Sequence, residues 1–98
     1  MDASAVRRHA EAHAAANVEG DMSRAAGDLT SEARANIAPV ARRLPRPITA
    51  AEVIVVEPEG ADRVITQIRY SGPSDDAIVE SVWVEIDGRP MIAEARIV

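Results

Sequence analysis

Apolar residues recur at helical spacing in the first half of the chain and at every second position in the last third. The spacing of Val6, Ala10, Ala14 (or His13) and Val18 predicts a helix over 3–18. Ser4 or Asp2 can cap its start, and Asn17 with Gly20 marks its end, glycine being the usual residue for the left-handed position after a last turn. A short helical turn is expected over 21–26, ended by Gly27. Asp28-Leu29-Thr30-Ser31-Glu32 is a second start signal, with Thr30 or Asp28 as cap and Glu32 where the helix dipole favours negative charge. Leu29, Ala33, Ile37, Val40 and Leu44 follow on one side. Pro39 lacks the N–H that a helix interior needs, so a kink or restart is expected there, and Pro45 and Pro47 end the helical region.

Alternation then predicts strands over 52–57, 62–70, 77–86 and 91–98. Pro58-Glu59-Gly60 closes the first, and Ser71–Asp76 connects the second to the third. Asp87-Gly88 is a preferred pair for a two-residue type I′ turn, in which both central residues need positive φ. Extending that turn sets Ile86 opposite Arg89, Val84 opposite Met91, Val82 opposite Ala93, Glu80 opposite Ala95 and Ile78 opposite Ile97. Matching faces on the preceding strand sets Tyr70 by Ile78, Ile68 by Glu80, Thr66 by Val82 and Val64 by Val84. Helices about 3–44 followed by an antiparallel meander about 52–98 predict a single α+β domain over 1–98. Its N-terminal helices would pack on the concave face of a curved antiparallel sheet of about four strands.

In this register Glu80 falls on the helix-facing side beside Ile68 and Ala95. A carboxylate there is costly to desolvate unless paired or protonated, which makes Glu80 a candidate general acid or base with Tyr70 as its hydrogen-bond partner. The stronger reading of Glu80 is structural: near the hairpin end it could snorkel to water, meet a helix arginine or be turned outward by a bulge. The opposite face collects Ile65, Trp83 and Ile92 in one apolar row, flanked by Arg69, Glu94 and Arg96. These six residues form a candidate homodimer interface, since an exposed Trp between apolar neighbours is a common contact anchor. His9 and His13 share one side of the first helix, but two ligands are too few for a metal, and His9-Ala10-Glu11-Ala12-His13 is not the zinc-protease pattern. No nucleophile triad, phosphate loop or metal-spaced carboxylate set is present, and no cofactor is implied.

Composition sharpens three points. Of the 98 residues 47% are hydrophobic, yet alanine dominates and there is no Phe, so the elements must approach closely or leave space between them. The net charge is −5, from 16 acidic residues against 11 basic ones that are all arginine. That balance argues against nucleic acid, despite the cluster Arg42, Arg43 and Arg46. Absence of cysteine removes disulfides and thiol chemistry, and the N-terminus lacks a leader pattern, so a cytoplasmic protein with no membrane association is expected.

His13–Asp21, ending in Gly20-Asp21, is similar to the close of the first helix in nuclear-transport-factor-two-like proteins, also called SnoaL-like or ketosteroid-isomerase-like. Trp83-Val84-Glu85-Ile86-Asp87-Gly88-Arg89-Pro90 resembles their closing hairpin. The resemblance spans nearly the whole chain and suggests a small bacterial member. It implies a cystatin-like cone whose sheet wraps the first helix, often dimeric through the outer sheet face, with any site lying between helices and sheet. The chain is short for that family and poor in pocket aromatics, and no catalytic residue is carried over. The leading expectation is a non-catalytic homodimeric module. The alternatives are a small-molecule-binding protein or isomerase- or hydrolase-like enzyme with a small apolar ligand, and a regulatory subunit.

Overall fold

The computed structural model describes residues 1–98. Four helices precede four strands: α1 Ala3–Glu19, α2 Met22–Ala26, α3 Ser31–Ala35, α4 Ala38–Ala41, β1 Ala50–Glu59, β2 Arg63–Ser71, β3 Asp76–Ile86 and β4 Arg89–Ile97. The strands pair antiparallel in the order β1-β2-β3-β4, forming an open curved sheet in an α+β fold. Asp2 caps α1 by accepting from the Ser4 amide, and Gly20 closes it at φ 76°. Thr30 caps α3 through the Ala33 amide. Pro39 stands in the first turn of α4, so the helical region restarts there, as expected, and forms two short helices.

The Asp87-Gly88 turn has positive φ at both residues, 52° and 77°. Near the turn, β3 and β4 pair as expected: Ile86 with Arg89, Val84 with Met91, and Trp83 with Ile92. Farther along, a bulge leaves Ala93 unpaired, and Val82 faces Glu94, Ser81 faces Ala95 and Glu80 faces Arg96. Between β2 and β3 the pairing is displaced by one residue from the expectation: Tyr70 opposes Ala77, Ile68 opposes Val79, Thr66 opposes Ser81 and Val64 opposes Trp83. A one-residue displacement exchanges the faces of the whole strand. Ala77, Val79, Ser81 and Trp83 therefore face the helices, and Ile78, Glu80, Val82 and Val84 face away.

Trp83 is the centre of the core, at 0% exposure. Its Nε1 donates to Thr66 Oγ1 at 2.9 Å on the neighbouring strand, so the one polar atom of the ring is satisfied. The α1 residues buried against the sheet are Val6, Ala10 and Ala14. Their small side chains leave room for the indole beneath the helix, where His9 and His13 meet its ring at centroid distances of 6.5 and 6.3 Å. The expected placement of Trp83 and Ile92 on the outer face is thus corrected: both are core residues.

Candidate functional site

Of the interface candidates, only Ile65, Arg69, Glu94 and Arg96 lie on the outer face. Glu80 is there too. It accepts from Gln67 Nε2 at 3.0 Å and from Arg96 Nε at 2.8 Å. The Gln67 amide first, and then Arg96, hold the Glu80 carboxyl below its ordinary range. Tyr70 faces the helices, so the structure separates Glu80 and Tyr70 by the thickness of the sheet, and the expected pairing between them does not form.

Tyr70 belongs to a different cluster. It is buried, and its hydroxyl accepts from Asn17 Nδ2 at 3.0 Å. Burial pushes its pKa up to about 12 against the opposing effect of the Asn17 donation, with Asp28 adding to the rise. The group stays a phenol, and its own proton is free to be donated.

His13 lies one helical turn before Asn17, on the same side of α1. Its Nδ1 is 2.9 Å from Asp28 Oδ2. A carboxylate only accepts, so Nδ1 carries the proton and Nε2 is the nitrogen left for another molecule. Asp28 is 7% exposed, which is tolerable for a carboxylate because both oxygens are engaged. Oδ1 accepts from Arg89 Nη2 at 2.6 Å. Arg89 also donates through Nη1 to the Gly27 carbonyl at 2.9 Å. The backbone reinforces the arrangement: the Ile92 amide donates to the Asp28 carbonyl at 2.7 Å, and the Thr30 amide donates to the Ile92 carbonyl at 2.9 Å. The segment joining α2 to α3 is thereby stitched to β4 as a short parallel bridge.

This cluster borders a cavity of about 240 Å³ between the helices and the inner sheet face. His13 and Asn17 enter from α1, Ala25 and Ala26 from α2, and Leu29 from the stitched segment. Val40 and Ala41 of α4, with Ile37 and Leu44 beside them, make the far wall. Tyr70, Val79, Ser81, Ile92 and Ala95 form the sheet side. The walls are hydrocarbon apart from His13, Asn17, Tyr70 and Ser81. A cavity of roughly 150 Å³ suffices for benzene, and drug-sized ligands occupy roughly 300 Å³ or more, so this space fits a one- or two-ring molecule.

No trio of His, Cys, Asp or Glu side chains is grouped so as to hold a metal ion. No helix is long and apolar enough to cross a membrane. Sequence spacing singled out His13 only as half of a histidine pair and Asp28 only as a helix cap. Their union with Arg89 spans the chain and leaves no local pattern. No family model, curated protein or solved structure matches this chain.

Proposed function

We propose that this chain binds a small, uncharged, largely apolar molecule between its helices and its sheet and acts on it by proton transfer, as an isomerase- or hydrolase-like enzyme of nuclear-transport-factor-two-like type working in the cytoplasm. The observation that carries this reading is the pairing of an apolar cavity with a histidine whose free nitrogen is set by a buried, doubly held carboxylate. His13 Nε2 serves as general base, and Asp28 fixes its tautomer and steadies the imidazolium that forms. Tyr70 donates a hydrogen bond to a ligand oxygen and stabilises negative charge that develops on it. With an enolisable ketone, the Cα proton passes to His13, the enolate oxygen rests on Tyr70, and reprotonation at carbon restores His13. The order of helices and meander supports the assignment to this superfamily.

The test is deuterium incorporation from D₂O into acetophenone, followed by NMR. Wild-type protein is expected to bind acetophenone and accelerate exchange, and His13→Gln to lose roughly 10²–10⁴-fold of the acceleration, the usual worth of a general base. Absence of binding by wild-type protein overturns the reading, and binding without accelerated exchange removes its catalytic half.

The uncovered outer face favours a second reading, a non-catalytic homodimeric module. Ile65, Val82 and Val84 lie on that face only partly buried, bordered by the Arg63–Glu94 and Arg96–Glu80 ion pairs. Light scattering is expected to give a dimer for wild type and a monomer for Val82→Arg, and a wild-type monomer rules this reading out.

A further inference from the structure

We propose that Ser81 is a second polar anchor in the cavity, so that the ligand carries two hydrogen-bonding oxygens, one for Tyr70 and one for Ser81, at opposite ends of an apolar ring. This rests on the pocket assignment above and narrows it to a class of molecule.

Ser81 is 4% exposed and lines the cavity from the middle of β3. Its cross-strand neighbours are Thr66 and Ala95. Thr66 Oγ1 is the acceptor for the Trp83 indole, and Ala95 offers no polar atom. The Ser81 hydroxyl makes no hydrogen bond to the protein. No wholly occluded side-chain polar atom lacks a partner, so this oxygen opens onto the cavity. An oxygen that opens onto an apolar cavity and bonds to no protein group is free to pair with a ligand oxygen.

Geometry sets the spacing of the two anchors. Tyr70 lies opposite Ala77, four residues before Ser81 on the same face of β3. At the rise of a strand this is roughly 13 Å. One ligand oxygen cannot serve both anchors, so the two oxygens stand at opposite ends of the ring. Between the anchors lies Val79, so the body of the ligand meets hydrocarbon. No carboxylate or guanidinium lines the cavity, and Asp28, the partner of His13, is also held by Arg89, so no free charge is left to select an ionic ligand.

The experiment is calorimetric titration of wild-type protein and Ser81→Ala with three non-ionising probes: 4-(hydroxymethyl)acetophenone, acetophenone and ethylbenzene. Wild type is expected to bind the two-oxygen probe about tenfold more tightly than acetophenone, the worth of one neutral hydrogen bond. Ser81→Ala is expected to lose that preference while binding acetophenone within twofold of wild type. Its melting temperature is expected to equal or exceed that of wild type, which keeps a folding defect out of the comparison. Equal wild-type affinity for the two ketones, or a preference that survives in Ser81→Ala, overturns the role of Ser81 and leaves the pocket standing. Failure of wild type to bind any of the three probes overturns the pocket itself and the anchor with it.

Discussion

Trp83 decides which side of the sheet becomes the core. Counting apolar residues favours the other side of β3, where Ile78, Val82, Val84 and Ile86 stand, over the side with Ala77, Val79, Ser81 and Trp83. A single buried indole removes roughly 150–250 Å² from water, and the alanine face of α1 has the space to cover it. Ser81 and Thr66 are tolerated beneath the helices because one opens onto a cavity and the other receives the indole N–H. The face count is therefore legible in the sequence but misleading, because buried area and not the number of apolar residues decides the face. Trp83→Phe is expected to lower stability by about 2 kcal/mol, through lost volume and the unpaired Thr66 hydroxyl, as measured by urea unfolding. Tyr70 gives a pH signature. Its folded pKa of about 12 lies above the ordinary tyrosine value of 10.0, so its contribution is complete below pH 10 and is lost as pH rises through 12. A shift of that size is worth roughly 3 kcal/mol. Melting temperature across this range is expected to fall more steeply for wild type than for Tyr70→Phe, and parallel curves would refute the assignment.

Among the elements, the hairpin of β3 and β4 was readable at its turn and unreadable at its far end. Asp-Gly announces itself because positive φ restricts the residues that can stand there. A bulge at Ala93 leaves no such mark, because any small residue can be the unpaired one. The helix boundaries followed from caps and prolines, down to Gly20 and Pro39. The clamp of Arg89 on Asp28 could not follow, because its partners lie 61 residues apart. That clamp joins the hairpin to the segment that carries the His13 partner. Arg89→Gln is expected to cost about 1–3 kcal/mol, since a buried carboxylate loses one of its two partners. Amide exchange at Thr30 and Ile92 is expected to quicken with it, and unchanged protection there would show that the bridge does not depend on Arg89. A second joint lies at the end of the helical region. A Cβ on Gly72 would stand 2.5 Å from Pro45 Cβ and 2.9 Å from the Pro47 carbonyl. Gly72→Ala is expected to push that segment outward and lower the melting point, by about 1–3 kcal/mol in stability terms.

For the whole molecule, the alanine-rich composition has both of its expected consequences. α1 approaches the sheet closely, and the shorter helices leave about 240 Å³ open beside it. The shortage of bulky side chains allowed either close approach or open space, and did not by itself decide that a cavity forms. The chemistry of the cavity was not legible either, because His13, Asp28, Tyr70 and Ser81 come together only through the observed register and the stitching of residues 27–30 to β4. Filling the space is expected to separate folding from binding: Ala95→Leu should raise stability by about 0.5–2 kcal/mol and abolish ligand uptake. The most direct measurement is protein-observed NMR of wild type titrated with acetophenone, with intermolecular NOEs to assigned methyl groups. The expected result is a set of NOEs to Leu29, Val40 and Ile92, on the helix side of the sheet. NOEs confined to Ile65 and Val82 on the outer face, or no binding at all, would contradict the account.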